Sequence, residues 1–150
     1  MKYFVYGVIG AVVVAIVVGF VIVGSPNEER MRKLDEQRAN DLQGLQYEIV
    51  NYWQAKDVLP ATLSDIKDDI RGVRVPADPE TNAPYEYAVK GNLQFELCAV
   101  FARASNEADS EVARPVGLYG GINENWQHGA GRTCFARTID KDLYPPLNKK

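Results

Sequence analysis

The chain has 150 residues, of which 46% are hydrophobic and 25% charged, and its formal net charge is −3. This slightly acidic balance argues against nucleic acid as a partner, because nucleic-acid binding uses basic surfaces. Two cysteines and one histidine are too few ligands for a typical structural zinc site. We therefore predict neither a metal nor a cofactor.

The first feature along the chain is an apolar segment, residues 3–23, which contains no charged residue. A bilayer core of roughly 30 Å needs about 20 apolar helical residues. The segment predicts a transmembrane anchor over residues 1–24, with membrane lipid as the partner of residues 3–23. The alternative is a cleavable signal peptide, which has a shorter apolar core and a small-residue cleavage site. Pro26 follows the segment closely and disfavours cleavage there.

The side of the membrane is predicted from charges and cysteines together. Arg30, Arg32 and Lys33 follow the apolar segment, and the positive-inside rule by itself favours a cytoplasmic domain. Cys98 and Cys134 favour the opposite, because an even pair in a small domain outside the cytosol usually forms a disulfide. Two buried free thiols are the alternative. We predict a disulfide worth roughly 3–4 kcal/mol on the chain-entropy model. We also predict a single-pass protein of the inner (cytoplasmic) membrane whose domain is extracytoplasmic.

A second helix is predicted from Glu28 to about Lys56. Its apolar residues recur at helical spacing, and they include Leu42, Leu45, Ile49 and Trp53. We expect residues 25–57 to form a membrane-proximal amphipathic helix that continues the anchor past Pro26. Residues 58–150 would form a small α+β head, which packs with residues 34–57 as one domain.

The head is predicted to begin with a short helix and to end in a sheet. Thr62 and Asp65 form a capping-box variant, and Leu63, Ile66 and Ile70 would share the buried face of that helix. Residues 85–89 alternate and predict a strand, residues 93–102 and 132–139 predict two further strands, and residues 90–92 predict a hairpin turn. A polar loop is expected at 103–114 and an irregular, glycine-rich segment at 115–131. The fold class is therefore α+β, with helices on a small antiparallel sheet.

Several short motifs in this order resemble type IV pilins and the major pseudopilin of type II secretion. They are Asp41-Leu42-Gln43, Tyr52-Trp53, Leu59-Pro60 and the turn-and-strand element Asp78-Pro79, Thr81, Pro84-Tyr85 and Tyr87. Asn82 stands where the family usually has Gly, and Asn tolerates a left-handed conformation. The resemblance implies a pilin-like fold and a structural or interaction protein that associates with itself or with pilin-like partners. The apolar segment lacks the acid of pilins and no leader is recognisable, which predicts a permanent tether.

A glycine-rich segment with Trp126, His128 and Arg132 is the candidate ligand or partner loop, since such loops often carry function. A membrane-tethered extracytoplasmic binding module is therefore the alternative function. In the competing interpretation the glycines serve turns and Trp126 covers the edge of the core. A nucleophilic Cys134–His128 pair would need an activated free thiol, which a disulfide removes. We predict a non-enzymatic protein without catalytic residues.

Overall fold

The structure is a computed structural model that describes residues 2–23, 26–105 and 125–147. The chain divides into two compact units, Met1–Lys33 and Leu34–Lys150. The elements are helix α1 (Lys2–Val23), helix α2 (Pro26–Lys56), a short 3₁₀ helix (Leu63–Ile66) and strands β1 (Glu86–Gly91), β2 (Gln94–Phe101) and β3 (Gly131–Thr138). The predicted α+β class, with two helices and a three-stranded antiparallel sheet, is confirmed.

Helix α1 is apolar around its whole circumference. The side chains of residues 3–18 are all exposed, and they include Tyr3 and Phe4 at 91% and 77% exposure. Gly7 and Gly10 have no other atoms within 4 Å of where a Cβ would stand. Within residues 3–18, where the burial of the side chains is described, helix α1 therefore buries none of its large apolar side chains.

No helix in residues 2–23, 26–105 and 125–147 is long and apolar enough to cross a membrane. The predicted transmembrane anchor at residues 3–23 and the inner-membrane, single-pass localisation with an extracytoplasmic domain are therefore wrong. The predicted continuation of the first helix past Pro26 depends on residues 24 and 25, which lie outside the described residues.

Helix α2 has local signals at both ends. Pro26 occupies the first helical position, where a missing N–H costs nothing, and Glu28 and Glu29 lie in the first turn. Asp57 ends the helix in a left-handed conformation (φ 57°), and its N–H donates to the carbonyl of Trp53 at 2.7 Å. The predicted helical segment from Glu28 to Lys56 is confirmed within two residues at its start.

The sheet has the order β1-β2-β3, and both neighbouring pairs are antiparallel. Alternate residues of β2 are buried against α2, and they are Phe95, Leu97, Ala99 and Phe101. From α2 come Leu42, Leu45, Ile49, Val50 and Trp53, which form one cluster with the strand residues. One face of the sheet therefore packs on α2, while Glu96 and Val100 lie on the other face.

The short helix is shorter than predicted. It ends after Ile66, because Asp68 instead pairs with Val73 across a tight turn. The Asp68 carboxylate accepts hydrogen bonds from the N–H groups of Ile70 and Arg71 at 2.9 and 3.1 Å. Such local bonds compete with helix formation. Ile70 is 99% exposed, so its predicted place on a buried helix face is wrong.

Candidate functional site

The predicted disulfide between Cys98 and Cys134 is present. The two cysteines are direct partners in the β2–β3 ladder, with Cα atoms 4.0 Å apart. They lie on the sheet face opposite α2. With the sulfurs bonded to each other, neither is available as a thiolate nucleophile or metal ligand. A carboxylate oxygen of Glu96 lies within 4.8 Å of both sulfurs. While the disulfide is closed, these three residues offer no thiolate ligand to a metal.

Trp126 packs against the edge of the core. Its ring centroid lies 4.7 Å from that of Phe135, and the guanidinium of Arg137 lies 4.2 Å above the indole. Arg137 also donates to Gln46 of α2 at 2.9 Å and to the carbonyl of Asn125 at 3.1 Å. The indole therefore packs against two side chains of β3, Phe135 and Arg137, and Arg137 is also bonded to α2.

His128 is also engaged within the domain. Its ring stacks on Phe101 with centroids 3.6 Å apart and planes 14° from parallel. The backbone N–H of His128 donates to the Ser105 hydroxyl at 3.0 Å, and the backbone carbonyl of His128 accepts from the backbone N–H of Ser105 at 2.9 Å. These bonds join the segment before β3 to the segment after β2.

Arg132 lies on the opposite face of the sheet and points to β1. It makes an ion pair with Glu86, whose Oε2 lies 2.7 Å from Nη2. This pair lowers the pKa of Glu86 and raises that of Arg132. Trp126, His128 and Arg132 therefore contact three different neighbours, and the structure does not bring the three side chains together at one point.

Residues 106–124, which held most of the predicted polar and irregular segments, lie outside the described residues.

A cluster that the sequence did not predict surrounds Arg38 of α2, which is only 3% exposed. Its Nε donates to Asp78 at 2.6 Å, its Nη1 to Asp35 at 2.8 Å and its Nη2 to Glu80 at 2.8 Å. Three acceptors thus satisfy one buried guanidinium, as a buried charge requires. The cluster fixes the turn that follows Ala77 to the helix.

Asp78 organises that turn as well as binding the arginine. Its Oδ1 accepts from the N–H groups of Glu80 and Thr81 at 3.0 and 2.8 Å, and Asn82 adopts the left-handed conformation (φ 57°). The sequence prediction that Asn82 tolerates this conformation is confirmed. The Arg38 guanidinium, assisted by these N–H donors, holds the pKa of Asp78 well below its usual range.

Asp35 connects the same cluster to the end of β2. Its two carboxylate oxygens accept from the N–H groups of Ala102 and Arg103, both at 2.9 Å. Asp35 and Arg38 continue the apolar face of α2, since they precede Leu42 by seven and four residues. A charged pair within an otherwise apolar helical stripe was the signal that could have revealed this cluster.

Two tyrosines complete the contacts between the turn, β1 and the helices. The Tyr85 hydroxyl donates to Asp41 at 2.7 Å, and the Tyr87 hydroxyl donates to the carbonyl of Pro60 at 2.9 Å. Burial, together with Asp41, raises the pKa of Tyr85. Burial also raises the pKa of Tyr87 to about 12.

Comparison of the chain with protein-family models, with curated proteins and with solved structures finds no match. The resemblance to pilins and pseudopilins therefore stays a prediction that rests on the short motifs alone.

Proposed function

We propose that the protein is a pilin-like structural subunit, of the kind used in type II secretion or pilus assembly, and that its copies associate through α1. The observation that carries the proposal is the continuous exposed apolar surface of residues 3–18. Proteins rarely leave a contiguous apolar patch of more than a few hundred Å² uncovered, and larger patches mark interaction sites. A second copy of α1 offers a surface of matching chemistry.

Two features of α1 favour other copies as its partner. Residues 3–23 carry no charge, so like helices do not repel one another when they pack. Gly7 and Gly10, followed by Ala11 and Ala15, place small residues at helical spacing. Small residues let helix backbones approach closely and gain van der Waals contact.

The second unit supports the same proposal through its architecture. A long helix that packs on one face of a small antiparallel sheet is the architecture that the motif resemblance implies. The turn at Asp78–Asn82, part of the motif, is held to that helix by Arg38. Arg38 is saturated by acids and the disulfide is closed. We infer a non-enzymatic role.

Self-association of the full chain in mild detergent tests this proposal. Sedimentation velocity and lysine cross-linking should show oligomers of the wild type. Val12→Asp should shift them to monomers, because a buried unpaired carboxylate in an apolar helix interface is costly. Val58→Asp is the matched control, since both valines are about half exposed, at 51% and 55%. A monomeric wild type, equal effects of the two substitutions, or monomeric insertion into lipid vesicles would each contradict self-association through α1.

The alternative function, binding through the loop of Trp126, His128 and Arg132, is tested by stability. Trp126→Ala should lower the free energy of unfolding by about 2 kcal/mol, less than for a fully buried Trp, because the indole is only half-buried between Phe135 and Arg137. His128→Ala should cost about 1 kcal/mol through the lost Phe101 stack. Unchanged stability in both variants would favour the binding-loop hypothesis over a packing role.

A further inference from the structure

The face of the sheet that points away from α2 carries a row of three side chains across three strands. Glu86 of β1 is the ladder partner of Cys98, and Cys98 is the ladder partner of Cys134. The disulfide therefore joins two neighbouring strands at directly opposed positions. Arg132 lies two residues before Cys134 on the same face of β3.

The Arg132 side chain crosses β2 diagonally to reach Glu86. Its Nη2 lies 2.7 Å from the Glu86 carboxylate and 3.5 Å from the sulfur of Cys98. The guanidinium thus lies against one sulfur of the disulfide, and the ion pair with Glu86 holds it there. Cys98 is only 4% exposed, whereas Cys134 is half-buried. The two cysteines of one bond consequently differ in exposure, and Cys98 is the one whose sulfur lies beside the Arg132 guanidinium.

We propose that this disulfide is a thiol–disulfide exchange site, at which an external thiolate attacks the sulfur of Cys134 and Cys98 leaves as a thiolate beside Arg132. The attack forms a mixed disulfide on Cys134 and breaks the Cys98–Cys134 bond, whose electron pair remains on the Cys98 sulfur. A second external thiolate then attacks the external sulfur of the mixed disulfide. It releases Cys134 as a thiolate and leaves the external pair oxidised by two electrons. The direction of attack follows from access at Cys134 and from leaving-group stabilisation at Cys98.

A guanidinium favours the leaving thiolate in two ways. It lowers the energy of a nearby negative charge, and its N–H donates to the sulfur more strongly once the sulfur is charged. The other two charged side chains that β1 and β2 place on this face are paired with each other, since Nζ of Lys90 lies 3.1 Å from Oε2 of Glu96. Glu96 therefore opposes the thiolate less than an unpaired carboxylate would.

The ladder keeps the exchange local and reversible. Backbone pairing between β2 and β3 extends from Gln94 opposite Thr138 to Phe101 opposite Gly131, on both sides of the cysteines. The strands therefore hold the two thiols opposite each other after reduction, ready to close again. The buried face, which contains Phe95, Leu97 and Phe135, is not part of the reaction.

The direction of attack is tested on the full chain with glutathione and with dithiothreitol as separate thiolate sources. After brief reaction, acid quench and alkylation, peptide mass spectrometry should find the mixed disulfide on Cys134 and the alkylated free thiol on Cys98. An adduct seen with glutathione identifies a small monothiol as a sufficient partner, and reduction by dithiothreitol alone identifies a dithiol. An adduct mainly on Cys98, or no reaction with either thiol in the folded protein, would overturn the proposal.

The role of Arg132 as a positioning residue is tested by the rate. Arg132→Gln should slow reduction by dithiothreitol roughly threefold, the effect of about one unit in the pKa of a participating thiol. Arg71→Gln, which removes an equally charged and similarly exposed side chain far along the chain, should leave the rate unchanged. Equal rates for the two variants would remove Arg132 from the mechanism. Loss of the far-ultraviolet circular dichroism of the sheet on reduction at 20 °C would show that the disulfide is needed to keep the sheet folded. That result would contradict a local, reversible exchange site.

Discussion

The two compact units of the chain treat apolar side chains in opposite ways. Residues 3–18 of α1 expose every side chain, whereas in the second unit Leu42, Ile49 and Leu97 are completely buried. Both segments are rich in apolar residues, so composition alone does not separate them. The difference is the pattern, because an apolar stripe on one face of a helix can be covered by a small sheet, while an apolar helix surface on all sides needs further partners.

A second comparison lies within α2 itself. The same helical face carries an apolar part, from Leu42 to Trp53, and a charged part, Asp35 and Arg38. The apolar part packs on the sheet and is stabilised by the burial of apolar surface. In the charged part, Arg38 contacts the Asp78 turn and Asp35 contacts the backbone after β2, both through directional hydrogen bonds. Substitutions in each part separate these contributions from each other and from the exposed surface.

The largest effect is expected at Trp53, which is 1% exposed in the core. Trp53→Ala should lower the free energy of unfolding by roughly 3–5 kcal/mol, through lost burial and the cavity that remains. Tyr47→Ala on the same helix is the control, because Tyr47 is 65% exposed, and should change stability by less than about 0.5 kcal/mol. Urea unfolding measures both, and similar losses would contradict the assigned faces of α2.

The next effect is expected at Arg38. Arg38→Ala should cost about 3 kcal/mol, because it leaves the Asp35 and Asp78 carboxylates without their buried cation. Arg71→Ala removes an exposed arginine from its pair with Glu48 and should cost at most about 1 kcal/mol. A loss for Arg38→Ala as small as that for Arg71→Ala would mean that the cluster does not hold the turn to α2.

A smaller effect concerns acid. The pKa of Asp78 is lower in the folded than in the unfolded chain, where it is about 3.9. Asp78 therefore contributes stability that is fully present above about pH 4 and is lost as the pH falls towards its folded pKa. Asp78→Asn should be less stable than the wild type at pH 6, and the difference should shrink below pH 4. A difference that is constant from pH 6 to pH 2 would disagree with ionised Asp78 as the acceptor of Arg38.

The smallest effect is expected at Ile70. Ile70→Ala should change the free energy of unfolding by less than about 0.5 kcal/mol, because the side chain is 99% exposed. Ile66→Ala, four residues earlier and 5% exposed, should cost roughly 2–4 kcal/mol. Comparable losses of stability at the two positions would contradict the exposed position of Ile70. They would support the longer helix, through Ile70, that the sequence pattern predicted.

Several parts of the fold could be predicted because their signals are local. The period of Leu42, Leu45 and Ile49 indicates a helix face, and the alternation along residues 93–102 indicates a strand with one buried face. The prediction failed at Ile70, whose N–H donates to the Asp68 side chain in a turn that replaces the next helical turn. It also failed for residues 3–23 as a membrane span, for which no helix among the described residues qualifies.

The sequence by itself indicated helix α2 with its buried stripe and the three strands, since each depends on residue type at a fixed local spacing. Because the chain has only two cysteines, the sequence also left Cys98 with Cys134 as the one possible internal disulfide. Only the tertiary structure decided which side chains meet. Arg38 reaches Asp78 across 40 residues, and Arg132 reaches Glu86 across 46. Both contacts depend on the direction of a turn and on the register of three strands. A slip of one residue in that register would place Arg132 and the disulfide on the other face of the sheet.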